Sequence, residues 1–254
     1  MVTAVPYVKI DNTGYYYRVS KRGLDKKIAA VCIHGSGADG VVWSYQLSRL
    51  SRDYKIIIAD LPGHGRSGGK PLESAGAYAK WLEQLRTELD LSSFFIFGHS
   101  LGGAIAQEYA RAHPEKIKGL VLVSTGTAFR ISKTYNEISN TSRNSEEAAQ
   151  KWDEYRNAYE TLSQISDKET LLKDMPAAAA FDSTGWISSI KIPALVIWGS
   201  EDIITPRDML EELAGGLAKG ELCIIEGGGH VVMVNKPNEF NEAVKKFMER
   251  NWKN

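Results

Sequence analysis

Short apolar segments that alternate with amphipathic ones constrain the fold of this chain more than any other feature. Each apolar segment is rich in Val, Ile, Leu or Phe and has few polar residues. Such runs are typical of strands that are buried on both faces of a parallel sheet. The segments span residues 28–33, 55–59, 94–97, 119–123, 194–198 and 222–225.

Helix-like segments lie between these runs. Over residues 75–89, apolar side chains recur at three- and four-residue spacing, which is typical of a helix with one buried stripe. Residues 104–112, 206–217 and 237–251 follow a similar pattern. Strands that alternate with helices predict an α/β fold, a mostly parallel sheet with helices on both faces.

Two regions depart from this alternation. Residues 5–10 and 15–20 flank Asn12-Thr13-Gly14, and this arrangement predicts a hairpin with its turn at those three residues. From about residue 129 to residue 185 there is polar, helix-like sequence and no convincing strand. We therefore expect one α/β core, formed by residues 1–128 and 186–254, with a helical insertion at 129–185.

Composition excludes several classes of function. The 31 basic and 31 acidic residues cancel, so the chain has no positive excess for nucleic-acid binding. No apolar run approaches the roughly 20 residues of a membrane helix, and the amino terminus lacks a signal-peptide pattern. Cys32 and Cys223 lie in strand-like runs and are expected to be buried and reduced. These features predict a cytoplasmic protein without nucleic-acid partners or membrane insertion.

The most informative motif is Gly98-His99-Ser100-Leu101-Gly102, which follows a predicted strand and precedes a predicted helix. A serine that is lifted clear of a sheet needs a tight, strained turn, and glycines two places away on either side leave room for it. The start of the helix also brings backbone N–H groups close to the serine. Ser100 is therefore the predicted nucleophile.

A serine hydroxyl needs a base, and the chain has five histidines. His230 follows the strand at 222–225, and active sites of parallel sheets form at the carboxyl ends of strands, so His230 is the predicted base. His99 adjoins the serine and is expected to pack beneath the turn. His34 and His64 lie in glycine-flanked turns, and His113 lies at a helix end.

The base needs a carboxylate partner. Asp202 lies just past the strand at 194–198, and the order Ser, Asp, His is the one expected when the serine turn comes first. Asp202 is therefore the predicted acid, with the adjacent Glu201 as the alternative. Asp60 also follows a strand but is expected to bond to the backbone of its own turn.

Stabilisation of an oxyanion requires two N–H donors. The glycine-rich loop Gly35-Ser36-Gly37 follows an early strand, and its backbone amides could converge on an anion. The predicted pair is the amide of Ser36 with that of Leu101, and the amide of Gly37 is the reserve. No Gly-Lys-Ser/Thr or G-x-G-x-x-G motif accompanies the loop, so nucleotide binding is not expected.

Five motifs in chain order resemble those of the α/β-hydrolase superfamily: His34-Gly35, Asp60-Leu61-Pro62-Gly63-His64-Gly65, Gly98-His99-Ser100-Leu101-Gly102-Gly103, Gly199-Ser200-Glu201-Asp202 and Gly229-His230. The resemblance runs from about residue 5 to residue 248. It implies an eight-stranded, mostly parallel sheet, a helical cap formed by the insertion, and no cofactor or metal. It also implies Ser100 as nucleophile, Asp202 as acid and His230 as base.

We therefore expect a serine hydrolase that cleaves a small carboxylic ester through an acyl-enzyme on Ser100. Hydrolysis of thioesters, lactones or the carbon–carbon bonds of ring-cleavage products would use the same residues. So would a slow-turnover ligand receptor, which belongs to a different class of protein. Four aromatic residues of the insertion could line an acyl site, or they could pack its helices on the core: Tyr135, Trp152, Tyr155 and Tyr159.

Overall fold

The computed structural model describes residues 7–129 and 168–252, which form a sheet of eight strands flanked by helices. The strands are β1 (Tyr7–Ile10), β2 (Thr13–Val19), β3 (Ala29–Ile33), β4 (Lys55–Ala59), β5 (Phe94–His99), β6 (Ile117–Val123), β7 (Ala194–Gly199) and β8 (Gly220–Ile225). Their order across the sheet is β1-β2-β4-β3-β5-β6-β7-β8. Only the pairs β1–β2 and β2–β4 are antiparallel. The predicted eight-stranded, mostly parallel sheet is confirmed.

The hairpin turn between β1 and β2 differs from the prediction. Its two turn residues are Asp11 and Asn12, with φ of 47° and 65°, whereas Thr13 and Gly14 already belong to β2. Two successive residues with positive φ suit the right-handed twist of a hairpin. Asp and Asn tolerate this backbone conformation, and for that reason the turn forms one step earlier in the chain.

Seven α-helices lie in the described part of the chain: α1 (Ser44–Leu50), α2 (Ala75–Glu88), α3 (Leu101–Ala112), α4 (Lys168–Ala179), α5 (Arg207–Gly216), α6 (Val232–Asn235) and α7 (Pro237–Asn251). The helices predicted from apolar spacing correspond to α2, α3, α5 and α7. The helices α1 and α6 were not predicted, because seven and four residues are too few to show a periodic stripe.

Side chains from the central strands pack alternately on the two faces of the sheet. In β3, Val31 and Ile33 join the apolar cluster that includes residues of α2, α3 and α5. Ala30 and Cys32 join the opposite cluster, which includes residues of α6 and α7. Burial of both faces explains why the strands are continuously apolar.

Part of the predicted insertion lies against the core. Phe181 is buried in the apolar cluster that includes residues of α2 and α3, and the Ser183 hydroxyl donates to Gln107 Oε1 at 2.8 Å. A β-bridge joins Ala128 to Asp182, one residue on each side of residues 130–167. Those residues, which include the four aromatic side chains named above, lie outside the described part of the chain. The cap boundary at 129–185 therefore stays a prediction.

The two cysteines differ in burial. Cys32 in β3 is fully buried, as predicted, and burial raises the pKa of its thiol. Cys223 is only half-buried because β8 is the edge strand of the sheet. Both thiols are free. Every helix within residues 7–129 and 168–252 is too short or too polar to form a membrane-spanning segment.

Gly119 and Gly215 allow a matched test of this packing. A Cβ at Gly119 in β6 would lie 3.0 Å from ring atoms of Phe95 and of Phe247, whereas a Cβ at Gly215 in α5 would meet no atom within 4 Å. We expect Gly119→Ala to lower the free energy of unfolding by about 1–3 kcal/mol through overpacking. We expect Gly215→Ala to raise it by about 0.5–1 kcal/mol, because alanine favours the helix. Urea denaturation measures both, and equal stabilities of the two variants would contradict the packing described.

Candidate active site

The carboxyl ends of neighbouring strands bring the predicted site residues to one edge of the sheet. Ser100 follows β5, Asp202 lies just past β7 and His230 lies in the loop after β8. Ser124, which no motif had indicated, follows β6 between them. The strands from β5 to β8 pair in parallel, and the Ser100 N–H donates to the Val123 carbonyl at 2.9 Å. The four strand ends therefore lie side by side.

Ser100 occupies a strained turn between β5 and α3. Its φ of 51° and ψ of −119° lie outside the regions that non-glycine residues usually adopt. A side chain at Gly98 would collide with the backbone of Gly102, and one at Gly103 would collide with Thr125. The glycines of the motif therefore allow a close approach that the turn requires, and the serine side chain is left half-buried at the sheet edge.

Asp202 and His230 form a buried pair. The carboxylate oxygens lie 3.0 Å (Oδ2) and 3.2 Å (Oδ1) from His230 Nδ1. Oδ1 also accepts the N–H groups of Ile204 and Thr205, at 2.9 Å and 3.0 Å. Because the carboxylate accepts, Nδ1 carries the proton of the neutral imidazole and Nε2 is left as the acceptor. Glu201, the alternative acid, is exposed.

The surroundings of Asp202 favour its ionised form. Burial acts to raise the pKa of this carboxyl group. The charge that His230 carries when protonated, the hydrogen bond from His230 and the bond from the Thr205 N–H outweigh burial, so the pKa lies below its ordinary value. The carboxylate is therefore charged at neutral pH and can stabilise a protonated His230.

Thr205 connects three parts of this site. Its hydroxyl donates to the Ser124 carbonyl at 3.3 Å, and its oxygen lies 3.1 Å from His230 Nδ1. Its N–H is one of the two that bind Asp202. The sequence contains a signal for this arrangement, since an aspartate often binds the amides two and three residues later, but Thr205 was not predicted as a site residue.

His99 packs beneath the serine turn, against the predicted base. Its ring centroid lies 4.8 Å from that of His230, and its Nε2–H donates to the His230 carbonyl at 3.0 Å. Burial lowers the pKa of His99 to about 3, and the nearby His230 charge adds to this effect. His99 is therefore a neutral support of the turn. Among the described residues, neither the Ser100 hydroxyl nor His230 Nε2 has a hydrogen-bond partner.

Two backbone N–H groups near Ser100 are potential donors to an oxyanion. No hydrogen bond to a described residue engages the N–H of Ser36 or that of Leu101. The loop that carries Ser36 abuts the serine turn, because a Cβ at Gly35 would lie 3.0 Å from Ser100 Cβ. The reserve donor, Gly37, is occupied: its N–H donates to Asp174 at 2.8 Å. Asp174 comes from α4 and was not predicted.

Asp60, His64 and His113, the other residues considered in the sequence, lie in turns or at a helix end. Asp60 accepts the N–H groups of Gly40 and Arg66, both at 2.9 Å, as predicted for a turn aspartate. His64, predicted only as a turn residue, is fully buried beside Asp174. His113 follows the last residue of α3.

Comparison with known proteins identifies the family. Residues 31–141 and 126–237 match the family described as the alpha/beta hydrolase fold. A Rhizobium rhizogenes protein named as a candidate carbamate hydrolase, RutD, is 31% identical over 255 residues, which cover 89% of this chain and 95% of the relative. The pimeloyl-acyl-carrier-protein methyl ester esterase of Yersinia pseudotuberculosis is 23% identical, covering 94% of this chain and 98% of its own. A solved structure described as a thermophilic esterase is 29% identical, covers 98% of both chains and has a TM-score of 0.74.

The chain therefore belongs to the α/β-hydrolase family, as its motifs predicted. It is an enzyme of that family, a hydrolase of the α/β type. The fold, the family match and the relatives agree on this class.

The buried neutral histidines make stability depend on pH. Burial lowers the pKa of His34 and of His99 from 6.5 to about 3. Below pH 6.5 the unfolded chain therefore binds protons that the folded protein does not, and the free energy of unfolding falls. We expect His99 alone to account for about 2 kcal/mol of the fall between pH 7 and pH 5. His99→Gln keeps a donor for the His230 carbonyl but does not titrate, so it should lose that share in urea denaturation at the two pH values. The same pH dependence in both proteins would count against a neutral His99.

Proposed function

We propose that this protein hydrolyses a small carboxylic ester, or a closely related acyl compound, through an acyl-enzyme on Ser100. The observation that supports this most strongly is the pairing of Asp202 with His230 Nδ1 at the sheet edge that also carries Ser100. A carboxylate at Nδ1 keeps the proton on that nitrogen, so Nε2 can accept the proton of a serine hydroxyl. Without such a base a serine hydroxyl is a poor nucleophile.

In the first half of the proposed reaction, Ser100 Oγ bonds to the acyl carbon as its proton passes to His230 Nε2. The negative charge moves to the carbonyl oxygen, where the N–H groups of Ser36 and Leu101 donate to it. His230 then gives the proton to the leaving alcohol, and the acyl group stays on Ser100.

In the second half, a water molecule gives a proton to His230 Nε2 and its oxygen bonds to the acyl carbon. The same two N–H groups stabilise the second oxyanion. Return of the proton from His230 to Ser100 Oγ accompanies cleavage of the acyl–serine bond and releases the carboxylic acid. Asp202 stabilises the imidazolium in both halves.

The relatives support acyl chemistry but differ in the group that leaves. Hydrolysis of a carbamate and hydrolysis of a methyl ester both begin at a carbonyl carbon bonded to a heteroatom, and the proposed residues suit both. A panel of short nitrophenyl esters, carbamates, thioesters and lactones would rank these leaving groups. We also propose a cytoplasmic location and a small-molecule substrate, and the free thiols of Cys32 and Cys223 favour that location.

Ser100→Ala tests the nucleophile. We expect it to lower kcat/KM for the best ester of the panel by about 10⁴-fold or more, since the attacking atom is lost. Wild-type enzyme mixed with excess nitrophenyl ester should show a burst of nitrophenolate that matches the enzyme concentration, and Ser100→Ala should show none. Equal rates for the two proteins would overturn the proposal.

Asp202→Asn and Glu201→Gln test which carboxylate is the acid. Both substitutions remove one charge from adjacent residues, but only Asp202 contacts His230. We expect kcat to fall by about 10⁴-fold for Asp202→Asn, and to change less than about twofold for Glu201→Gln, whose side chain is exposed. A large loss for Glu201→Gln with little loss for Asp202→Asn would reverse the assignment.

A further inference from the structure

Asp174 is an acidic residue that α4 places in the protein interior. Its side chain is fully buried. Oδ2 accepts the Gly37 N–H at 2.8 Å and lies 2.7 Å from His64 Nε2, and Oδ1 accepts the Tyr78 hydroxyl at 3.1 Å. A buried carboxylate is tolerated only when it has such partners. These contacts join α4, which follows residues 130–167, to the loop that carries Ser36.

Asp174 and His64 share a hydrogen bond in the protein interior. His64 Nδ1 lies 2.9 Å from the Pro62 carbonyl, which can only accept, so Nδ1 carries a proton. His64 Nε2 faces Asp174 Oδ2, so a further proton lies between these two atoms. An asparagine at 174 has the same shape, but its neutral amide oxygen would accept from Gly37 and His64 more weakly than the charged carboxylate oxygen does.

The loop Gly35-Ser36-Gly37 is held on both sides of Ser36. On one side His34 Nδ1–H donates to the Gly35 carbonyl at 2.8 Å, and the Leu61 N–H donates to His34 Nε2 at 3.0 Å. On the other side Gly37, with φ of 65°, donates its N–H to Asp174. These bonds restrict the direction of the Ser36 N–H between them, which has no hydrogen bond to a described residue.

We propose that Asp174 is a positioning residue for the hydrolysis: by holding the Gly37 N–H, it directs the Ser36 N–H at the carbonyl oxygen of a substrate on Ser100. This inference rests on the proposed function. It assigns the Gly37 N–H to Asp174 instead of to the oxyanion. It also makes α4 part of the machinery that orients the site, although α4 belongs to the predicted cap insertion and lies outside the sheet.

Asp174→Asn is the direct test, with Gly119→Ala as the control for lost stability. Removal of an oxyanion donor costs about 10²–10³-fold in kcat, so a displaced donor should cost about 10–100-fold, with KM within about threefold. The Gly119→Ala variant is also expected to be destabilised. Because Gly119 lies near the start of β6, away from the strand end that carries Ser124, the kcat of this variant should stay within about twofold of wild type. Exchange of the Gly37 amide with solvent, followed by NMR, should be at least about tenfold faster in Asp174→Asn and unchanged in Gly119→Ala.

The two readouts separate this inference from the proposed function. If wild-type enzyme hydrolyses the ester panel but Asp174→Asn loses no more kcat than Gly119→Ala, Asp174 does not position the loop for catalysis. If wild-type enzyme hydrolyses no compound of the panel, the proposed function fails. The exchange rate of the Gly37 amide then tests whether Asp174 positions the loop. Gly37 exchange that depends on Asp174 then supports the positioning of the loop, and exchange that does not depend on it overturns the inference.

A second variant covers the case in which Asp174→Asn does not fold. Replacement of a buried ion pair by apolar residues of similar volume often preserves stability. The double variant Asp174→Leu, His64→Phe removes the acceptor of the Gly37 N–H without leaving a charge unpaired. We expect the same 10–100-fold loss of kcat in this variant, on the same estimate for a displaced donor. A folded double variant with kcat within about threefold of wild type would overturn the inference.

Discussion

The parallel hydrogen-bond ladder from β5 to β8 determines where the site residues lie. Each of these strands ends at the same edge, so Ser100, Ser124, Asp202 and His230 come together although they are far apart in sequence. Burial of both faces of the sheet specifies the register, because a slip by one residue would exchange the side chains of the two apolar clusters. The chemistry of the strand ends therefore depends on the packing of the strands themselves.

Electrostatics at the strand ends separates groups that carry charge from groups that stay neutral. Asp202 is buried, but two N–H groups and His230 hold it ionised. His34 and His99 are buried with backbone partners, and no described carboxylate lies within hydrogen-bond distance of either, so they stay neutral and support the loop and the turn. Within residues 7–129 and 168–252, His230 alone among the histidines combines a carboxylate at one nitrogen with a second nitrogen that has no hydrogen-bond partner, which suits it to transfer protons.

The sequence predicted the parts of the fold that depend on local pattern. Buried parallel strands are continuously apolar, and the helices α2, α3, α5 and α7 carry a periodic stripe, so both were found. The hairpin turn was placed too late because Asp11 and Asn12 adopt positive φ without a glycine. The short helix α1 has no stripe to detect. The three residues predicted from the strand-end motifs, Ser100, Asp202 and His230, all lie at the expected sheet edge.

Residues that act across long sequence separations escaped prediction. Asp174 bonds to Gly37, 137 residues earlier, and to His64, 110 residues earlier, and nothing in the sequence near residue 174 indicates either contact. Thr205 differs, because its amide bond to Asp202 follows a local pattern and could have been recognised. The sequence thus predicted the proposed reacting groups, whereas the long-range contacts of Asp174 emerged only from tertiary packing.

A crystal structure of the protein after reaction with an alkyl fluorophosphonate would test the central claim most directly. Such a reagent places a tetrahedral phosphorus where the acyl carbon would be. The account predicts phosphorus bonded to Ser100 Oγ, with its phosphoryl oxygen about 3 Å from the amide nitrogens of Ser36 and Leu101. Phosphorus on another residue, or an oxygen bound away from both amides, would contradict it.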